Sequence, residues 1–339
     1  MQKLDRIAAA LRGEASDRPP YGFWTHLPGL DLDPARLAEA TAALCARYDM
    51  DFLKAMPNGM YPVEDFGCVC DYSGIEKGGV ARVVHPAVSL VEHWDRLEEL
   101  DLAVGAYGRE LEYLARLVTF VDPSVPVLAT VFSPLTIAAK LSNGAYRSHL
   151  DSEPAAVARG LEVITRVTCA FARKAIERGC AGVFLATQEA SHGVLDEAAY
   201  RTFGEPFDTR VVDAAARAGG WFNVIHMHGE HVMFDLLARY DVAALNWHVG
   251  ETVPSISDYR RHGGTRPILG GLRRNHLTNG DCAAISADIE RAMIESDGKG
   301  LLLAPACVIR HPVNDNALQF TANAIKDLAR SRQSISISS

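Results

Sequence analysis

The chain has 339 residues, 48% of them hydrophobic and 22% charged, ordinary globular usage that excludes wholesale disorder. Its 42 acidic against 34 basic residues leave a net charge of −8, without the basic surplus expected of a nucleic-acid-binding protein. No run of about 18 apolar residues is present to span a membrane. The opening Met1-Gln-Lys-Leu-Asp-Arg6 starts an amphipathic helix rather than a signal peptide's apolar core, so the sequence reads as a cytoplasmic enzyme acting on a small molecule.

In chain order, eight short apolar runs alternate with longer helical patterns. The runs are Tyr21–His26, Asp51–Met56, Pro126–Val131, Ala181–Thr187, Trp221–His226, Val242–Trp247, Pro267–Gly271 and Gly300–Pro305. Each has the length of a buried strand, and stretches such as Val127-Leu-Ala-Thr-Val131 are apolar throughout, as parallel strands covered on both faces are. Helical periodicity marks Pro34–Tyr48, Pro154–Arg178, Glu197–Ala218 (broken near Pro206), His231–Arg239, Ser255–Arg261, Ala283–Ser296 with Asp281 as N-cap, and Asn314–Ala329. Between the second and third runs, Cys68–Tyr72 and Gly79–Val84 alternate as a β-hairpin insertion would. Eight β/α steps predict an α/β fold of (β/α)8 TIM-barrel type. A doubly wound sheet is disfavoured, because no Gly-rich phosphate loop follows the first strand. Residues 1–330 form one expected domain, and the polar stretch 331–339 is expected to be a disordered tail.

Barrels place chemistry at the C-terminal ends of their strands. Those ends carry Trp24 and His26; Lys54, Met56 and Asn58; Thr130 and Phe132; Thr187 and Gln188; His226, His228 and Glu230; Asn246 and His248; Leu272 and Arg273; and Cys307 and Arg310. In Val224-Ile-His226-Met-His228-Gly-Glu230-His231 the two histidines at i and i+2 project to the same side of an extended chain. Two imidazoles so placed suit a divalent d-block ion, zinc first. Cys307 follows the last run and supplies a third ligand type, leaving one position open as catalytic zinc does; Glu230 or His231 is a candidate fourth ligand or orienting partner. The seven cysteines are odd in number and scattered, which argues against a disulfide framework.

The chain resembles the uroporphyrinogen decarboxylase superfamily along nearly the whole barrel, in Arg18-Pro-Pro-Tyr-Gly-Phe23, in Pro126–Thr136, in Gly179–Gln188 and in Leu269-Gly-Gly-Leu272. The true decarboxylases use arginines after the first strand and an aspartate after the second. Here Trp24-Thr-His26-Leu-Pro28 and Lys54-Ala-Met-Pro-Asn58 stand instead. The superfamily's other branch, similar to corrinoid- or coenzyme M-linked methyltransferases, binds zinc through a His-x-Cys pair after the fifth strand and a Cys after the eighth. His226-Met-His228 matches that pair with His for Cys, and Ala304-Pro-Ala-Cys307 matches the distant Cys. The replacement leaves the site one charge less negative, so a thiolate bound there is less nucleophilic.

The resemblance implies a zinc-dependent methyl- or alkyl-transferase in which His226, His228 and Cys307 hold zinc and Glu230 orients a ligand. A thiol is the acceptor, and a corrinoid on a partner protein is the possible donor. Related barrels often pair, so a homodimer is expected. With oxygen bound instead of sulfur, the same zinc would serve lyase or hydrolase chemistry. The alternative is a cofactor-free decarboxylase in which Lys54, Arg273 and Arg310 grip carboxylates and His226 or His248 protonates the carbanion. Trp24, His26 and Asn58 are expected to line the substrate site, with Gln188 hydrogen-bonding substrate. Cys68-Val-Cys70 reads as a packed strand face, Glu64 and Asp65 as rim carboxylates, and the charge run Glu92–Asp101 as the solvated face of a helix.

Overall fold

The computed structural model describes residues 1–75 and 81–337, with side chains described through residue 329. The barrel strands begin with β1 (Leu53–Lys54). The short antiparallel pair β2 (Val69–Asp71) and β3 (Arg82–His85) forms a hairpin of its own. Then come β4 (Val127–Phe132), β5 (Gly182–Thr187), β6 (Val224–Met227), β7 (Ala244–Trp247), β8 (Ile268–Leu272) and β9 (Leu301–Pro305). These and β1 make one parallel sheet in the order β1-β4-β5-β6-β7-β8-β9.

The first apolar run closes the curl. Leu303 donates its N–H to Pro20 O at 2.8 Å, Gly22 donates to Leu303 O, and Asp51 N donates to Tyr21 O at 2.9 Å. The run expected as the strand Tyr21–His26 is therefore extended, but it pairs through isolated bridges at Tyr21 and Thr25 rather than a ladder. Pro19 and Pro20 lack the N–H groups that a ladder needs. The result is the α/β barrel that the alternating pattern predicts, with the hairpin after its second strand. Its Gly79 and Val80 lie outside the described residues.

Helices separate the parallel strands as the crossover rule requires. The helix Pro34–Tyr48 is capped by Asp33, and Cys282–Ser296 by the Asp281 side chain, which accepts from Ala284 N. Glu197–Phe203 and Glu205–Arg217 are broken at Gly204, two residues before Pro206, near which the break was expected. The helix Gly105–Phe120 was not legible in the sequence, because two glycines and Val118-Thr119 dilute its helical signal. Asp65 caps it by accepting from Ala106 N and Tyr107 N, and Glu64 pairs with its Arg109 at 2.8 Å, so both rim carboxylates are structural. The charge run Glu92–Asp101 forms only a single 3-10 segment, Val91–Arg96, over the buried Trp94. The last helix, Asp315–Ile337, runs on past residue 330 into the stretch expected to fray. Among the described residues, no helix is long and apolar enough to cross a membrane.

The barrel interior is its own apolar cluster. Phe52, Leu128, Phe184, Val224, Ala244, Leu269 and Leu302 fill it, while a larger core lies between sheet and helices. Two residues further along each of β1, β4, β6 and β7, the inward position becomes Lys54, Thr130, His226 and Asn246. A packed floor and a polar mouth thus come from one alternation.

Candidate metal centre and cavity

At that mouth, His226, His228, His248 and Cys307 present ligand atoms all within 4.8 Å of one another. The pairing of β6 with β7 accounts for three of them. His226 stands opposite Asn246 in register, so His228 stands opposite His248 one pleat further on. Cys307 arrives from beyond β9, its Sγ 3.7 Å from His228 Nδ1 and 4.0 Å from His226 Nε2. His226 and His248 stack at 5.8 Å between ring centres, and Phe184 stacks on the other partner of that row, His226, at 5.2 Å.

The hydrogen bonds around the rings decide which nitrogens face inward. Asn246 Nδ2 donates to Leu269 O at 2.6 Å, which turns its Oδ1 toward His226 Nδ1. That oxygen can only accept, so Nδ1 carries the hydrogen and Nε2 offers its lone pair toward Cys307. His248 Nδ1 faces Glu251 at 3.5 Å, and Arg274 sits 3.7 Å from the same carboxylate. Burial alone would raise the Cys307 thiol, but the three imidazoles overrule it and hold its pKa far below the usual thiol range. Burial would lower His248, yet hydrogen bonds to Cys307 and Glu251 raise it to about 9. His226 is lowered, chiefly by burial.

These donors fit zinc by kind and spacing: three imidazoles and one sulfur already disposed toward the thiolate. The sequence reading left the fourth position to Glu230 or His231. The structure places both side chains on the exposed surface, because the chain turns at Gly229 with φ +89° and the i, i+2 alternation ends there. His248 stands in the cluster instead, and the side chains that touch its rings are Asn246, on His226, and Glu251, on His248, rather than Glu230. The missed signal was Asn246-x-His248, the spacing of His226-x-His228 repeated 20 residues later at the end of the next strand.

A cavity of about 310 Å³ opens beside the cluster. Trp24, His26, Lys54, Asn58 and Gln188 line it together with His226, His228 and Cys307. Arg273 and Arg310 do not. Gly271 at φ +101° breaks the alternation of β8, and Arg273 bonds Gly250 O and faces Asp288; Arg310 is exposed. Lys140, from the helix Pro134–Leu141, enters the cavity unannounced by any strand-end pattern. Burial lowers Lys54 to about 7 and Lys140 to about 8. His26 falls to about 4 through burial and the two nearby ammonium groups. Trp247 packs on Phe234 and donates to Pro254 O, away from the cavity. A larger open groove of about 1090 Å³ runs past Phe234, Tyr259 and Arg266 and touches none of the four clustered residues.

The family model described as uroporphyrinogen decarboxylase (URO-D) matches residues 2–328. Two curated relatives are methylcobamide:CoM methyltransferases MtbA. The one from Methanosarcina mazei is 21% identical over 229 residues, and the one from Methanosarcina acetivorans is 23% identical over 226. Each match takes in 62% of this chain and 65% of the relative, so the chain spans about two thirds of the curated relatives' length, a little short of it. A solved methyltransferase from Methanosarcina mazei superposes with TM-score 0.84 at 18% identity, over 96% of this chain and 99% of that one. A putative vitamin-B12 independent methionine synthase from Listeria monocytogenes gives 0.52 at 14% identity, over 88% and 86%. Both likenesses concern the fold.

Proposed function

The chain belongs to the uroporphyrinogen decarboxylase family, and from that premise we propose that it stands on the methyltransferase branch, as a zinc-dependent methyl- or alkyl-transferase with a thiol acceptor. The observation that carries the proposal is the convergence of His226, His228, His248 and Cys307 at the mouth of the barrel, beside a cavity of small-molecule size. His226, His228 and Cys307 would hold the ion, with His248 as the fourth donor. Zinc bound there would lower the pKa of a thiol placed at it and hold that thiol as the thiolate.

The remaining roles belong to the chain's own residues. Asn246 fixes the His226 tautomer, and Glu251 does the same for His248. Trp24, Met56 and Phe184 wall the cavity with apolar surface and keep water from the reacting sulfur. Lys54, Gln188, His26 and Asn58 face the substrate and orient it. The cavity admits a small acceptor. By analogy with the relatives named for methylcobamide, a corrinoid carried by a partner protein presents the methyl group from outside.

Elemental analysis of untagged protein tests the proposal, run beside His226→Ala and Cys307→Ala. About one zinc per chain is expected, lost in both variants. Zinc-loaded protein should then transfer a methyl group from methylcobalamin to a small thiol. Folded wild-type protein that neither holds nor takes up zinc overturns the proposal.

A further inference from the structure

The helical ring of the barrel is thin on one side. The helix after β6, Phe234–Leu237, has four residues, and the helix after β7, Ile256–Arg261, has six. Their neighbours Glu205–Arg217 and Cys282–Ser296 have 13 and 15. Four helical residues rise about 6 Å, less than half the span of an equally long strand. The open groove of about 1090 Å³ lies at this gap. Phe234 and Tyr259, with ring centres 5.5 Å apart, form an aromatic wall of it. Val253 also lines it and is 74% exposed, more than any other large apolar side chain among the described residues.

Two charges on the groove are unmatched. Asp235 and Arg239 are exposed and stand four residues apart on one helical turn. Among the described residues their side chains make no hydrogen bond or ion pair. At the same spacing Glu112 pairs with Arg116 and Glu197 with Arg201. Other charges on the groove are engaged, Glu197 by Arg201, Asp258 by Arg261 and Arg266 by Val242 O. An acid and a base left open on one short segment are complementary to a second copy of that segment. Where a two-fold axis sets the two copies antiparallel, each acid faces the other copy's base, and every contact occurs twice.

We propose that this groove is an isologous interface between two copies of this chain, in which Asp235 of one protomer pairs with the partner's Arg239, and Arg239 with the partner's Asp235. Val253 of each protomer then covers the aromatic wall of the other, supplying the cover that the two short helices leave out. Apolar contact at the centre gives affinity, and the reciprocal ion pairs fix the orientation. The groove touches none of the four clustered residues, so the inference stands apart from the methyltransferase reading.

Sedimentation velocity of the protein as purified, in a dilution series starting at about 100 μM, tests this. A concentration-dependent dimer is expected. Val253→Asp should weaken it at least about tenfold, because the charge enters an apolar contact twice. Asp235→Arg and Arg239→Asp should each weaken it about tenfold by setting like charges face to face, and the two together should restore it to within about threefold of wild type. Leu90→Asp, at an exposed apolar position away from the groove, should leave the dimer intact. All four positions are exposed, so folding is retained, and melting curves verify it. Wild-type protein that stays monomeric throughout the series overturns the proposal and leaves the groove to a different occupant. A dimer that survives Val253→Asp, a charge exchange that fails to restore it, or an equal loss in Leu90→Asp overturns it as well.

Discussion

Replacing Asn246 by alanine isolates the contribution of ring orientation at the metal centre. Asn246 is wholly buried and touches no substrate; it accepts from His226 Nδ1 and donates to Leu269 O. The substitution leaves all four donor residues in place and removes only the group that fixes one tautomer. Losses of such orienting partners weaken metal binding about 10- to 100-fold, or about 1.4–2.8 kcal/mol. The metal-free protein should also lose about 1–3 kcal/mol of stability for each buried partner left without its hydrogen bond. Asn246→Asp is the informative companion. Its carboxylate still accepts from His226 but cannot donate to Leu269 O, so zinc affinity should hold while stability falls. Competition against a chromophoric zinc chelator reads the affinity, and urea unfolding of the metal-free proteins reads the stability. Unchanged zinc affinity in Asn246→Ala would refute the reasoning. It would show that the stack of Phe184 and His248 on His226 holds the ring without help.

Three further outcomes are expected. Asp208 is fully buried between Tyr200 and Tyr240, and burial raises its carboxyl to about 7, so the folded state keeps a proton that an unfolded aspartate releases near 3.9. Its contribution to stability therefore falls as pH rises between these values, and the melting temperature of Asp208→Asn relative to wild type should climb from pH 4 to pH 7; a flat difference refutes this. Asp51→Asn should cost about 3–5 kcal/mol in urea unfolding, since it strands the buried Arg18 guanidinium and leaves Arg6 paired with Asp17 alone; a loss below about 1 kcal/mol counts against it. Gly182→Ala should be insoluble or melt far lower, because its Cβ would sit 2.2 Å from Phe222 O in the neighbouring chain segment, and an unchanged melting temperature would contradict that.

The site was legible wherever alternation persisted. His226 and His228, Lys54 and Met56, Trp24 and His26 lie two apart on extended chain, and each pair reaches the same cavity. Alternation fails where glycine enters with positive φ. Gly229 turns Glu230 out to solvent, and Gly271 turns Arg273 toward Asp288; a count of residues from the strand cannot see either turn. His248 was placed at the correct strand end, but its place in the cluster needed the β6–β7 register, which comes from pairing between segments rather than from either segment alone. Lys140 was invisible for a different reason. It comes from a helix of apolar pattern, Pro134-Leu-Thr-Ile-Ala-Ala-Lys-Leu141, where a single lysine reads as the solvent face.

The two buried charges on the second strand segment show how structure and function divide one barrel. Asp51 and Lys54 are three residues apart and both nearly inaccessible. Asp51 lies on the floor side and receives Arg6, two nitrogens of Arg18 and the Tyr21 N–H. Every acceptor site is used, so the cluster can lock the helix Lys3–Leu11 and the first apolar run onto the barrel, and nothing is left to bind a ligand. Lys54 lies on the mouth side with a thioether and aromatic faces for company. A chain selected only for stability would place an apolar residue there, since an unmet buried cation lowers stability. Its place on the cavity beside Cys307 puts it with the site rather than with the fold. The satisfied cluster thus marks the floor that holds the barrel together, and the unsatisfied one marks the mouth that works.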